Sequence, residues 1–209
     1  MSIAVAGTRE RDEAEMIAAI LAGDRELYHS LIQPYEFSVY RMAMPFLKDE
    51  QEAEDVAQEA FLKAFRNLAT FRGQSKFSTW LISITLNEAR RRLRRQSTVR
   101  MESLDDPPEG GGKVSPALLR DWREIPSEAL ERREVRALLQ KAIEELSPIY
   151  REVLVLRDIE ELSVEETAGV LAISISSVKV RLHRARIMLQ KELAPKLKRA
   201  IPKKRRWFS

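Results

Sequence analysis

From residue 97 to about residue 127 the chain loses its apolar periodicity. The stretch containing ESLDDPPEGGGKVSP offers Pro, Gly and carboxylates where a packed element would need spaced aliphatics. Such a composition buries too little apolar surface to offset the entropy of ordering, so it reads as a flexible tether. On either side, apolar residues recur every three or four positions, and no strand-like alternation lasts long. The pattern predicts an all-α chain of two small helical domains, and 209 residues are enough for two. We draw the divisions at 1–96, a linker at 97–130, a second domain at 131–195 and a basic tail at 196–209.

Composition narrows the function classes. Cysteine is absent, which excludes disulfides and Cys-ligated zinc and fits a reducing cytoplasm. The only histidines, His29 and His183, give no basis for a His-built metal site, and no cofactor is expected. No run approaches the ~18 consecutive apolar residues of a membrane span, and the N-terminus lacks a signal-peptide h-region. Net charge is only +4, but the cations cluster at Arg90–Arg95, along Lys179–Arg186 and at Lys196–Arg206. Clustered cations are the footprint of a polyanion partner.

In the first half, Asp12 to Leu21 reads as a short amphipathic helix ending at Gly23. A longer helical pattern from Asp24 to Leu47 contains Pro34 and Pro45, which predict a kink or an early stop. Asp49 is placed to cap the next helix, with Glu52 at the capping-box position. Ala53, Val56, Ala57, Ala60, Phe61, Ala64, Phe65 and Leu68 form its buried stripe, and Asp55, Gln58, Glu59 and Leu62 fall on other faces. A charged helix face is usually just solvated, yet this one is partly apolar and leaves a partner surface open. After a loop at Gly73 and Ser75, a helix is predicted from about Phe77 to Ser83. Lys76, Phe77, Thr79 and Trp80 precede the run Arg90-Arg91-Arg92-Leu93-Arg94-Arg95. Phe77 and Trp80 fit a core, but aromatics beside cations also suit single-stranded nucleic acid, where bases stack and cations track phosphates.

In the second half, LSPIYREVLVLRDIEELSVEETAGVLAISISSVKVRLHRARIMLQKEL reads as a helix-turn-helix with a helix in front. Ser163 and Glu166 form a capping box for one helix, whose apolar face is Val164, Ala168 and Leu171. Ser174 caps the next, in which Ile175, Val178, Leu182, Ala185 and Leu189 should point inward. Ser176, Ser177, Lys179, Val180, Arg181, His183, Arg184 and Arg186 are left outward. Hydroxyls at the helix start with cations behind them suit entry into a major groove; a solvated basic face is the plainer alternative.

These two segments, in this order, resemble the group IV, or extracytoplasmic function (ECF), sigma factors of bacterial RNA polymerase. The first likeness rests on DEQEAEDVAQEAFLKAFRNLATFRGQSKFSTWLISITLNEARRRLRR and the second on the helix-turn-helix stretch; together they cover roughly residues 25–96 and 135–193. The resemblance implies a non-enzymatic subunit of sigma region 2 and region 4 domains that binds core polymerase, recognises a promoter and helps open it. Asp55, Gln58, Glu59 and Leu62 match the face that grips the clamp helices of the largest polymerase subunit. Lys76, Phe77, Thr79 and Trp80 match the segment that supports strand separation at the minus-ten element. Asn87, with Thr85, Leu86 and Glu88, matches a short loop that captures a flipped-out base, and Arg91, Arg92, Arg94 and Arg95 match phosphate-holding positions. Ser174, Ser176, Ser177, Lys179, Val180, His183 and Arg184 match positions facing the minus-thirty-five element, Lys179 and Arg184 being best suited to guanine or phosphate.

The same resemblance implies cytoplasmic residence with the polymerase at the nucleoid, an anti-sigma regulator, and a linker whose carboxylates Glu102, Asp105, Asp106 and Glu109 mimic RNA phosphates. Ala172 departs from the family's glycine at the helix-turn-helix, where a left-handed backbone costs a non-Gly residue on the order of 1 kcal/mol. Gly169 costs about as much within its helix, and Pro45 interrupts a usually continuous one. Two other classes compete. A stand-alone helix-turn-helix regulator normally needs a dimer, for which the chain offers no heptads, and it leaves Trp80 and Asn87 unexplained. A nuclease built on the carboxylates near Asp49–Asp55 lacks a base, a phosphate loop and a convergent metal set.

Overall fold

The computed structural model of the chain describes residues 2–96 and 133–200. The linker and the Trp207-Phe208 end lie outside the described residues. All regular structure within them is helical, with no β-strand. They fall into two compact units. The first comprises the residues up to Gln96 together with Glu165–Ala172, the second those from Arg133 to Val164 together with those from Ile173 onward.

The first unit begins with α1 (Ser2–Leu21), which buries Ile17 and Ile20 and stops before Gly23 at φ +120°. Pro34 breaks the next pattern as expected. Helix α2 (Leu27–Ile32) passes through a 3-10 turn at Gln33–Tyr35 into α3 (Glu36–Leu47). Pro45 instead sits buried inside α3 without ending it; the helix stops at Lys48, whose φ is +60°.

The Asp49 carboxylate accepts the Glu52 N–H at 2.9 Å, so α4 (Glu50–Arg66) starts where its cap dictates. Ala53, Val56, Ala57, Ala60 and Ala64 are buried, and Phe61 and Phe65 are packed against the core. Small residues on this face let α4 approach α3 and α5 closely, and the three helices pack on one another.

Helix α5 (Phe77–Gln96) differs from expectation: it is one uninterrupted helix, where a stop near Ser83 and a loop at Asn87 were predicted. No Gly or Pro lies between Phe77 and Gln96, and two of its hydroxyls, which weaken helix propensity, are satisfied within it. Ser83 donates to the Trp80 carbonyl at 2.6 Å and Thr85 to the Leu81 carbonyl at 2.9 Å.

In the second unit, α6 (Arg133–Glu145) and α7 (Pro148–Leu154) pack against the long last helix. Arg151 joins the first two. Its guanidinium is buried and donates to the carbonyls of Ile143 (3.2 Å), Glu144 (2.6 Å) and Leu146 (2.6 Å). These include acceptors that the end of α6 leaves without intrahelical partners, and a cation there also opposes the helix dipole. Burial pulls the guanidinium below its ordinary pKa, partly offset by Glu144 and Glu152; an arginine stays protonated under such a penalty.

A π-helical turn at Val155–Ile159 continues from α7. Helix α8 (Val164–Leu171) begins directly after Ser163, and Ala172 carries the anticipated left-handed backbone at φ +55°. Helix α9 runs from Ile175 to Ala200, through Pro195 and past the predicted domain end.

Candidate functional site

Three groups of residues were singled out by sequence, and the structure treats them differently. On α4, Gln58 and Glu59 are exposed and Leu62 is 49% exposed, a large aliphatic group left on the outside of a helix whose other face is core. Asp55, half-buried beside them, is engaged from α5: Arg92 Nη2 lies 3.1 Å from its Oδ2, and Arg92 Nε hydrogen-bonds to Glu52. Glu52 therefore reaches across to α5 with the carboxylate that a capping box would turn back to Asp49.

The second group straddles the start and middle of α5. Phe77 is 2% exposed and is core, stacked edge-on with Phe71 at 5.7 Å and tilted against Tyr35 at 5.6 Å. It is the first residue of an apolar column that continues through Leu81, so helical register commits it inward. Thr79 is also buried, while Lys76 is exposed. Trp80 is half-buried and rests on Phe71 and Phe77 at 5.3 and 5.7 Å.

Asn87 is exposed on α5, two turns beyond Trp80 on the same side. It does not sit in a loop, and its neighbours Thr85, Leu86 and Glu88 are all buried. Trp80, Ile84 and Asn87 form one wall of a surface concavity of about 280 Å³; Lys63, Asn67 and Thr70 form the other, and Glu88 also lines it. That volume falls just below the about 300 Å³ at which small-ligand sites begin, and it combines a ring face, an amide and a cation.

Sequence reading missed the Lys63, Asn67 and Thr70 wall. Its signal was the polar end of α4, where the Asn67 amide donates to the Lys63 carbonyl (2.8 Å) and Thr70 donates to the Asn67 carbonyl (2.7 Å), fixing the turn. On the other side of the Phe71–Phe77 loop, Lys76 lines a second concavity of about 360 Å³ with Glu13 and Phe71.

The arginine run divides. Arg91 bonds the buried Glu88 (Nε to Oε2, 2.7 Å), which also takes a hydrogen bond from Lys63 of α4. Arg92 is held by Glu52 and Asp55, and Arg94 and Arg95 are exposed. Burial pushes the Glu88 carboxyl up, but hydrogen bonds from Lys63 and Arg91 outweigh it and leave the group below the usual carboxylate value.

The third group lies at the start of α9. Ser174 caps the helix, its Oγ accepting the Ser177 N–H at 3.1 Å, and lies 2.9 Å from the hydroxyls of both Ser176 and Ser177. Ser176, Lys179 and His183 are exposed, Ser177 and Arg184 half-buried, and Val180 is 45% exposed. Val178, Leu182, Ala185 and Leu189 are buried as predicted. Two residues depart from that pattern. Ile175, in the first turn, is 44% exposed rather than packed. Arg186 turns back to Asp158 on the π-helical turn, forming bonds of 3.0 and 2.7 Å to a carboxylate whose side chain is fully buried.

Residues 31–99 match the family described as Sigma-70 region 2, and residues 136–189 match Sigma-70, region 4. The chain is 34% identical over 193 residues to the RNA polymerase sigma-H factor of Pseudomonas aeruginosa, covering 92% of this chain and 99% of that protein. It is 32% identical over 177 residues to the ECF RNA polymerase sigma factor SigW of Bacillus subtilis, covering 85% and 94%. Among solved structures, the sigma factor RpoE of Bartonella quintana, in complex with the anti-sigma factor NepR, superposes with a TM-score of 0.58 at 24% identity, over 80% of this chain and 96% of that one. No described helix is long and apolar enough to cross a membrane.

Proposed function

The chain belongs to the ECF sigma factors of RNA polymerase, and from that premise we propose how its residues divide the work of promoter-specific initiation. The exposed Leu62 beside Gln58 and Glu59 carries the reading: this face of α4 docks on the clamp helices of core polymerase, with Asp55 at its edge. An aliphatic centre flanked by carboxylates suits a partner surface of mixed apolar and basic character.

The concavity around Asn87 receives one unstacked base of the minus-ten element. Trp80 offers a stacking surface, Asn87 reads the base edge, and Lys63 stands near the backbone. Extrusion costs a few kcal/mol, which those contacts offset. Arg94 and Arg95 hold phosphates from the exposed end of α5. Ser176, Lys179, Val180, His183 and Arg184 face the minus-thirty-five element, entering the major groove from the capped end of α9. The domain divisions follow, with residues 1–96 and 131–195 as the two DNA-facing parts. In that setting the protein works in the cytoplasm at the nucleoid and is restrained by an anti-sigma protein that covers these faces.

The reading is tested by capture of bacterial core RNA polymerase on the purified chain, with isolated clamp helices as a second bait. Stoichiometric capture of both is expected, and Leu62→Ala should weaken it without unfolding the chain. Duplex DNA binding without polymerase capture would overturn the assignment in favour of a stand-alone regulator.

A further inference from the structure

We propose that Arg92 is a positioning residue for the polymerase-facing carboxylate Asp55. The inference rests on the docking role given above to α4, and it removes Arg92 from the phosphate contacts that sequence assigned to it.

Glu52 and Asp55 stand one helical turn apart on α4, and Arg92 projects from α5 between them. Its Nε engages Glu52 while Nη2 engages Asp55 Oδ2 at 3.1 Å. A planar guanidinium can serve two carboxylates at once in a fixed geometry; a lysine ammonium has no such fork. All three side chains are partly exposed, between 29% and 44%, so Asp55 stays within reach of a partner while it is paired. The arrangement has two consequences for α4. The like charges of Glu52 and Asp55 no longer repel across a turn, and Asp55 is held in one rotamer before a partner arrives. Side-chain ordering that is already complete lowers the cost of association. A neighbouring bridge, Lys63–Glu88–Arg91, fixes the same pair of helices one step further along. The spacing of α4 and α5 therefore does not depend on Arg92 alone.

The test is a double-mutant cycle on core polymerase affinity, using the full chain with Arg92→Ala, Asp55→Ala and both. Arg92→Ala is expected to weaken core binding about three- to tenfold, and that loss should vanish in the Asp55→Ala background, because the arginine acts through the carboxylate. Arg92→Lys should recover part of the affinity. Holoenzyme assembled at saturating core should bind a single-stranded minus-ten oligonucleotide equally well with or without Arg92. Thermal melts of each variant separate misfolding from lost affinity, and Arg92→Lys carries the test if the alanine variant unfolds. An equal penalty in both backgrounds, or weakened oligonucleotide binding with core affinity intact, would overturn the proposal. Failure of the unaltered chain to bind core would remove the docking role on which it rests, and the proposal with it.

Discussion

The arginines of α5 and the cations of α9 look alike in sequence and are used differently. On α5, Arg91 and Arg92 face carboxylates of their own unit, Glu88, Glu52 and Asp55, while Arg94 and Arg95 stay exposed. On α9, Lys179 and His183 are exposed and Arg184 is partly so, whereas Arg186 is tied to buried Asp158. The lesson concerns partners. Arg92 is paired because the facing helix α4 offers two carboxylates at its height, Glu52 and Asp55, whereas Arg91 finds Glu88 on its own helix and Arg186 finds Asp158.

The contrast on α9 breaks most readily at Arg186. Arg186→Ala leaves the Asp158 carboxylate buried without its bidentate partner, and the second unit should lose roughly 2–3 kcal/mol, a value discounted because the arginine is a third exposed. Denaturant titration reads this directly, and an unchanged midpoint would mean that Asp158 finds water or another donor. Lys179→Ala should do the opposite. It leaves stability within about 0.5 kcal/mol and weakens upstream promoter binding by about 1–3 kcal/mol, measured by holoenzyme binding to promoter duplex. Loss of core binding by that variant would contradict the division of labour between the helices.

The α5 side is sharpened by pH. The folded Glu88 carboxyl lies below its ordinary value of 4.5, so its stabilisation is fully present above that value and is lost as pH falls through the folded one. Melting temperatures of the chain should therefore drop in acid, and Glu88→Gln should shallow that slope. A slope identical in the two proteins would show that the bridge to Lys63 and Arg91 carries no net stabilisation.

The smallest effect lies at the helix-turn-helix. A Cβ at Gly169 would meet no atom within 4 Å, so Gly169→Ala should raise stability by about 0.5–1 kcal/mol through the unfolded chain. At Ala172, where φ is +55°, glycine relieves strain but adds unfolded-state entropy, so Ala172→Gly should move stability by only a few tenths of a kcal/mol.

Sequence by itself determined the helical class, the α4 core stripe, the caps at Asp49 and Ser174 and the break at Pro34. Each of these follows from interactions within a few residues, where periodicity and backbone sterics decide. It also marked the outward face of α9, because the buried set Val178, Leu182, Ala185 and Leu189 fixes what remains.

Tertiary structure decided which charges are free. The Glu52–Arg92, Asp55–Arg92 and Lys63–Glu88 bridges join residues 25 to 40 positions apart, and the Arg186–Asp158 pair joins residues 28 apart. The Arg151 brace crosses only a few positions, but it depends on the angle between two helices. Helical periodicity tells which way a side chain points on its own helix. It carries no information on what the neighbouring helix presents at that height. For that reason neither the burial of Thr79, nor the pairing of Arg92 with Glu52 and Asp55, nor the concavity that Lys63, Asn67 and Thr70 form around Asn87 was legible in the sequence.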